Sequence, residues 1–255
     1  MLERLSTAGF DIAFTSHAEA ILGADFSELA KELEAVLLDV RVPIEETIGG
    51  GGGEALVTQR MRRALVEAGW RKSVFTVQKR ITFTAGKQDV EIPSQSQSHE
   101  IDHVRQFANG KRIAMEIEWN NKDPFFDRDL ENFKRLHADS AISAGIIITR
   151  GRSLHDAMLP MVRRFLEQQA VDDLGTLARF RITPTPRQAE AIRKRTQRKD
   201  NPVPFRDALA DQFVSDKFGK ATTHWRKLED RLQRGVGNPC PLLLIGLPAG
   251  IVTFD

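Results

Sequence analysis

The sequence of 255 residues contains one cysteine, Cys240. A single cysteine excludes a disulfide within the chain and a thiolate cluster around zinc, so we expect a reducing compartment, the cytoplasm. The sequence also lacks an apolar run of the ~20 residues that a membrane helix requires. The first residues lack the basic start and apolar stretch of a signal peptide. We therefore expect no membrane among the partners of this protein.

The sequence has little net charge and no nucleotide-binding signature. Its formal charge is +2, which does not by itself indicate a nucleic-acid partner. Residues 179–199 nevertheless hold eight Lys or Arg against one Glu. Such a cluster attracts phosphate, although an ordinary solvated helix has the same composition. Five glycines at 49–53 predict a flexible loop, but no Gly-Lys-Ser/Thr follows them, which argues against a phosphate-binding loop.

The order of the predicted elements indicates the fold class. Apolar periodicity and β-branched runs predict helices at 27–40, 54–68, 123–139, 153–170 and 224–235, and strands at 73–84, 100–106, 111–119, 141–150 and 241–248. A hairpin, a helix, a fully buried strand and another helix follow one another, which is typical of an α/β fold with a mixed central β-sheet flanked by helices. We expect one domain, with a helical part at 1–72, a core at 73–170 and a basic segment, helix and terminal strand at 171–255.

The stretch EIEWNN begins with two acids in a predicted strand. Glu116 and Glu118 share one strand face with Ala114, because successive side chains point to opposite faces. Asp102 lies on the preceding hairpin strand, and the register decides whether it joins them. A two-residue turn would place Asp102 opposite Ile117, on the wrong face, whereas a three-residue loop would place it opposite Glu116. The sequence allows both registers.

Three converging carboxylates require a compensating positive charge. They repel one another unless a cation lies between them or one takes up a proton. Mg²⁺ favours carboxylate and water oxygens, and it activates water for attack on a phosphodiester. The alternative is that the Glu-x-Glu pair forms the solvent face of an edge strand, in which case the chain would be a non-catalytic DNA-binding protein.

The stretch IDHVRQFANGKRIAMEIEWNNKDPFFDRDL, followed by GIIITRG, resembles the catalytic core of type II restriction endonucleases of the PD-(D/E)XK superfamily. The resemblance is closest to the BamHI/BglII branch, in which Glu or Gln replaces the usual Lys. It implies that Asp102 and Glu116 bind the metal and that Glu118 lies near the attacking water. Ile101 stands where the superfamily name has Pro, a common departure.

A further acid is expected on a helix before the catalytic strands, because many members of the superfamily have one. Glu54, at the start of the predicted helix 54–68, is the candidate, and Glu45 and Glu46 are rivals. An ordinary explanation is equally available for Glu54, since a carboxylate stabilises a helix N-terminus.

Two loops are candidates for reading DNA bases. Asn pairs with adenine, and Arg or Lys pairs with guanine, in the major groove. By resemblance to the same branch, the candidate DNA-binding residues are Asn120, Asn121, Lys122, Arg150, Arg152 and Ser153. Phosphate contacts or helix capping would also explain the residues after the apolar strand. A palindromic site in double-stranded DNA requires a two-fold symmetric reader, so we expect a homodimer.

Two other enzyme classes remain open from the sequence. A nuclease of DNA repair or recombination could use the same acids on DNA structure rather than sequence. HEIDH, residues 99–103, also matches the HExxH motif of zinc peptidases. That chemistry requires a helix, whereas in the strand predicted here the two histidines would be ~13 Å apart, too far to share one zinc ion.

Overall fold

The computed structural model describes residues 1–48, 54–92 and 96–254. In these ranges the helices are α1 Glu3–Thr7, α2 Ala18–Asp25, α3 Leu29–Asp39, α4 Ile44–Ile48, α5 Leu56–Glu67, α6 Phe125–Ala138, α7 Arg152–Gln168, α8 Pro186–Thr196, α9 Phe205–Phe218 and α10 Trp225–Gln233. The strands are β1 Asp11–Thr15, β2 Val42–Pro43, β3 Arg71–Val77, β4 Ile81–Ala85, β5 Gln88–Ile92, β6 Gln97–Gln106, β7 Arg112–Glu118, β8 Ala144–Arg150, β9 Leu242–Leu247 and β10 Val252–Thr253. The predicted glycine loop at 49–53 lies outside the described residues.

Six strands form the central sheet in the order β1-β9-β8-β7-β6-β3. The three middle strands β7, β8 and β9 are parallel, and the remaining pairs are antiparallel. The predicted mixed sheet is therefore confirmed. β8 is buried along its whole length, as its continuous apolar sequence predicts for a strand covered on both faces.

The two faces of the sheet have separate apolar cores. Ile113, Met115 and Ile117 of β7 point into the larger core, which α3, α5, α7 and α9 complete. Ala114 points into the smaller core, where the helix α6 covers the sheet. The predicted stripe of α6 is fully buried there, and each such side chain stabilises the fold by ~1.5–3 kcal/mol.

Three predicted boundaries differ from the structure. The predicted strand at 73–84 is two strands, because β3 ends at Val77 and β4 pairs with β5 in a hairpin of its own. β-branched composition favours strands but does not specify their partners. Helix α5 begins at Leu56 rather than at Glu54. Helix α7 continues through Pro160, where the sequence predicts a kink or a break.

The edge strand β1 is not among the strands that the sequence predicts. It has five half-buried residues at the sheet edge and pairs antiparallel with β9.

Among the described residues, no helix combines the length and the apolar character that a membrane span requires.

Candidate active site

The loop of the β6–β7 hairpin brings Asp102 to the glutamates. The Phe107 N–H donates to the Lys111 carbonyl at 3.0 Å and extends the pairing of the two strands by one residue, which leaves a three-residue loop at 108–110. Its last residue, Gly110, has a φ of 78°, which glycine adopts without strain. The register pairs His103 with Met115. Continued by one residue, it places Asp102 opposite Glu116, and the Asp102 N–H donates to Glu116 Oε1 at 3.3 Å. Of the two registers that the sequence allows, the structure has the one that joins the acids.

Most of the acid cluster is buried. Glu116, Glu118 and Asp129 are 5%, 2% and 1% exposed, whereas 55% of the Asp102 side chain is exposed. Asp129 lies on α6, the helix that covers this face of β7. Burying a carboxylate is costly unless a partner compensates its charge. The interpretation of the two glutamates as a solvated strand face is therefore wrong.

The burial changes the protonation of the acids. Burial, with the negative charges of Asp129 and Asp102, raises the pKa of Glu116 to about 9. Burial and the charge of Asp129 raise the pKa of Glu118 to about 9. The pKa of Asp129 is raised by burial as well. A cation bound among these groups would lower all three pKa values, because it favours the ionised carboxylates.

Polar groups of α6 and of the loop after β7 hold the acids in place. Arg128 Nε and Nη2 donate to Asp129 Oδ1 at 2.8 and 2.7 Å, and Nη2 lies 3.7 Å from Glu118 Oε1. Asn121 Nδ2 donates to Glu118 Oε2 at 2.9 Å. Asp129 Oδ2 is buried and has no hydrogen-bond partner among the described residues. The cluster thus has more carboxylates than cations.

Asp102 and Glu118 open into a cleft of about 680 Å³, whereas Glu116 and Asp129 lie behind its lining. Its polar and charged lining consists of Glu54, Thr58, Arg62, Lys72, Asp102, Glu118, Asn120, Asn121 and Arg128. Glu54 forms an ion pair with Arg62 at 3.2 Å on the α5 wall. Glu45 and Glu46 are not part of the lining, and Glu46 instead pairs with Arg60. Of the three candidate helix acids, Glu54 is the one that the fold directs to the cleft.

The donor set fits a hard divalent cation. Among the described residues, no three His, Cys, Asp or Glu side chains form a ready-made ligand cage. Mg²⁺ does not need such a cage, because it keeps several waters and takes one or two carboxylates beside the substrate phosphate. Asp102 and Glu116 supply carboxylate oxygens from neighbouring strands, and the surplus negative charge described above would be neutralised by the ion.

The loop after β7 lies at the mouth of the cleft. Asn120 and Asn121 line it, and Lys122 is exposed beside them. The backbone of this loop is fixed to a second loop, since Lys122 pairs with Thr222 and the Thr223 N–H donates to the Asn121 carbonyl at 2.9 Å. Candidate base-reading side chains therefore lie within a few residues of Glu118 on a supported backbone.

Arg150 does not have the predicted position of a DNA-binding residue. Its side chain is 0% exposed, with Nε 2.7 Å from the Trp119 carbonyl oxygen. Its Nη2 donates to Thr222 Oγ1 at 2.7 Å and to the Thr223 carbonyl at 2.6 Å. The guanidinium is thus buried and donates its hydrogen bonds within the protein, where it joins the loop after β7 to residues 222–223. The prediction of a direct DNA contact for Arg150 is corrected to an anchoring role.

Arg152 and Ser153 are exposed but lie outside the cleft lining. Arg152 Nη1 donates to Asp11 Oδ1 at 2.8 Å, and its Nη2 binds Glu229. Ser153 Oγ accepts a hydrogen bond from the Ala249 N–H at 3.1 Å. The N-cap residue of α7 is Gly151 rather than Ser153, so helix capping does not explain the serine.

The HEIDH segment forms part of strand β6. His99 Nδ1 lies 3.0 Å from the Asn132 side-chain oxygen, and both ring nitrogens of His103 are buried without a hydrogen-bond partner among the described residues. The helix that zinc-peptidase chemistry requires is not formed here. The motif match is a coincidence of sequence on a strand.

Two functional candidates were not identified from the sequence. Asp129 occupies a buried position of α6, one residue before Leu130 of the apolar stripe, and a carboxylate at such a position is a signal that could have been used. Lys72 on β3 lies 3.8 Å from Asp102 Oδ1. Its position depends on the pairing of β3 with β6, which the sequence does not reveal.

The comparison with known proteins agrees with the site. The family model described as restriction endonuclease BglII/BglIII matches residues 10–247, nearly the whole chain. No curated protein gives a significant match. The match includes every strand of the central sheet and all four acids of the cleft cluster. The chain therefore belongs to the restriction endonuclease BglII/BglIII family and is a type II site-specific deoxyribonuclease, which confirms the resemblance seen in its sequence.

Proposed function

We propose that the protein is a Mg²⁺-dependent endonuclease that binds a palindromic DNA sequence as a homodimer and cuts both strands. The observation that carries this proposal is the position of Asp102 opposite Glu116, with Glu118 in the same cleft. Buried, mutually repelling carboxylates reduce stability, and such strained groups are characteristic of functional sites.

The residues of the cleft have distinct roles in this proposal. Asp102 and Glu116 hold the Mg²⁺ ion, which when bound supplies positive charge to the phosphate and lowers the pKa of water. Glu118 takes the proton of the attacking water, and the contacts of Asn121 and Arg128 orient its carboxylate. Glu54 faces the same space from the α5 wall and is the extra acid.

Reading and cutting are coupled through the loop after β7. Asn120, Asn121 and Lys122 carry donors and acceptors that suit base edges in the major groove. Asn121 also holds Glu118, so a base contact that moves Asn121 changes the orientation of the catalytic carboxylate. Arg152 and Ser153 form a second reading surface, in which Arg152 exchanges its surface acids for DNA.

Digestion of phage DNA tests the activity. The purified protein with Mg²⁺ should give discrete fragments, and sequencing the fragment ends should return one palindromic site. Glu116→Ala should abolish cutting while it preserves duplex binding. Normal cleavage by this variant would refute the site, and smeared or junction-specific products would favour the repair-type nuclease.

The homodimer has its own test. We propose that the N-terminal helices α1 to α5 supply part of the interface, since residues of α5 line the cleft beside Glu54. Light scattering after size exclusion should give twice the chain mass of 28.7 kDa at micromolar concentration. A species of chain mass alone, both with and without DNA, would contradict the dimer.

A further inference from the structure

The pairing of β3 with β6 is irregular beside the acid cluster. Between two successive pairs, β3 advances from Arg71 to Ser73 while β6 advances by three residues. Asp102 and His103 therefore both stand opposite Lys72, which is the geometry of a β-bulge. Bulges redirect side chains locally, and this one directs a lysine of the edge strand to the carboxylate of Asp102.

Lys72 is weakly held in its position. Its Nζ lies 2.6 Å from Glu100 Oε1 and 3.8 Å from Asp102 Oδ1. More than half of the Lys72 and Glu100 side chains is exposed. An ion pair between exposed side chains contributes little stability, so its ammonium can leave Glu100 for a stronger anion at small cost.

The two other cations of the cleft lining have ion-pair partners other than Asp102. Arg128 binds the buried Asp129 at 2.7 Å, and Arg62 lies 3.2 Å from Glu54. The carboxylates of the cleft repel an incoming DNA phosphate, so a cation that can move to it has a clear use. Lys72 is the described cation of the cleft lining that both contacts Asp102 and has an exposed partner, Glu100, which it can exchange for the phosphate.

We propose that Lys72 is a catalytic residue that donates a hydrogen bond to a non-bridging oxygen of the scissile phosphate. This inference rests on the proposed function of the same cleft. The water oxygen bonds to phosphorus, Glu118 takes the water proton, and the bond to the leaving oxygen breaks as solvent protonates that oxygen. Lys72 transfers no proton. Its ammonium stabilises the negative charge on the non-bridging oxygens of the transition state.

The first test compares single-turnover cleavage at saturating enzyme and Mg²⁺. Lys72→Ala should lower the rate by about 100-fold, the scale for loss of one transition-state donor. Lys72→Arg, which keeps the positive charge, should lower the cleavage rate by less than Lys72→Ala does. The matched control is Lys111→Ala, which removes a lysine from another exposed ion pair. Lys111 lies at the loop end of the β6–β7 hairpin and pairs with Asp25. The control should retain the wild-type rate, and all three variants should unfold at the wild-type temperature.

The second test asks whether Lys72 senses the charge of the cleaved phosphate. Two duplexes carry the site found from the fragment ends, one natural and one with a neutral methylphosphonate at the cleaved position. Binding is measured without Mg²⁺, so activity does not enter. The measured quantity is the affinity for the natural duplex divided by the affinity for the methylphosphonate duplex. This ratio should be about tenfold higher for the wild type and Lys111→Ala than for Lys72→Ala, as expected for a charge-assisted hydrogen bond.

The outcomes separate this inference from the proposed function. Suppose that the wild type cleaves DNA, that Glu116→Ala does not, and that Lys72→Ala is as active as Lys111→Ala. This result would overturn the role of Lys72 and leave the proposed function intact. An equal affinity ratio in wild type and Lys72→Ala would also overturn it. A wild-type protein that cuts no DNA in Mg²⁺ would overturn the proposed function and this role together.

Discussion

Two hairpins follow one another in the chain and have opposite environments. Every residue of the β4–β5 hairpin is exposed, including the apolar side chains of Phe83 and Val90, which lie on one face. In the β6–β7 hairpin, β7 is almost entirely buried, and its buried residues include Glu116 and Glu118. The first hairpin exposes apolar groups and the second buries charged ones.

The difference shows that the energetically costly arrangement of the two, the burial of carboxylates, occurs in the hairpin that contains the candidate catalytic acids. An exposed apolar side chain costs little by itself, since much of any protein surface is apolar. A buried carboxylate raises the free energy of the folded protein unless a cation or a proton neutralises it. Substitution of the buried acids of the β6–β7 hairpin should therefore affect function and stability in opposite directions.

The largest effect is expected for cleavage by Glu116→Gln. The amide keeps the shape of the side chain but removes its charge, so the rate should fall by at least about 10³-fold, the scale of losing one transition-state-stabilising group. The matched variant in the exposed hairpin is Glu91→Gln, whose carboxylate pairs with Arg80 on the surface. It should cut as the wild type does. Equal losses in both variants would remove the distinction between the hairpins.

The next largest effect is expected at the anchor of the loop after β7. Arg150→Met should lower the free energy of unfolding by about 3 kcal/mol, because three buried acceptors lose their donor. Arg152→Met, which removes an exposed arginine two residues away, should cost less than ~1 kcal/mol. Chemical denaturation measures both values. A loss for Arg150→Met no larger than that for Arg152→Met would contradict the anchoring role.

The sequence predicts the catalytic hairpin better than its surroundings. Strand alternation places Glu116 and Glu118 on one face, and the helical stripe of α6 identifies the element that covers them. The loop length was ambiguous, because Asn109-Gly110 suits both a two-residue turn and the observed three-residue loop. Local patterns thus define the elements, but the register that joins Asp102 to Glu116 depends on one backbone conformation.

Features that depend on distant pairing could not be predicted. The burial of Arg150 results from its contacts with residues 222–223, more than 70 positions away in the chain. The bulge opposite Lys72 arises from the packing of two strands that the 81–92 hairpin separates in sequence. β-strand propensity contains no information on either, since it reflects fit to a sheet rather than the choice of neighbour.

The stability of the metal-free protein should depend on pH through the buried glutamates of β7. The pKa of Glu116 is about 9 in the folded protein against 4.5 in the unfolded chain, so the folded state binds the extra proton between these values. Its contribution to stability is complete below pH 4.5 and is lost as the pH rises through 9. Glu116 alone should lower the free energy of unfolding by about 3 kcal/mol between pH 6 and pH 8, since each pH unit contributes ~1.4 kcal/mol.

Thermal unfolding at several pH values measures this loss. Glu116→Gln should reduce the slope, since its amide does not titrate, whereas Glu91→Gln should follow the wild type. Mg²⁺ should raise the wild-type melting temperature most at high pH, where the carboxylates are ionised. Identical slopes for wild type and Glu116→Gln would show that Glu116 is not the titrating group.

The smallest effect is expected in the exposed hairpin. Phe83→Ser removes an apolar side chain that is 58% exposed, so the free energy of unfolding should change by less than ~0.5 kcal/mol. The corresponding truncation in the buried hairpin, Met115→Ala, should cost about 3 kcal/mol, because it leaves a cavity in the larger core. Denaturation at several protein concentrations compares the two. A loss for Phe83→Ser above ~1 kcal/mol that grows with concentration would mean that a second copy covers the hairpin, and the contrast between the two hairpins would then hold for the isolated chain alone.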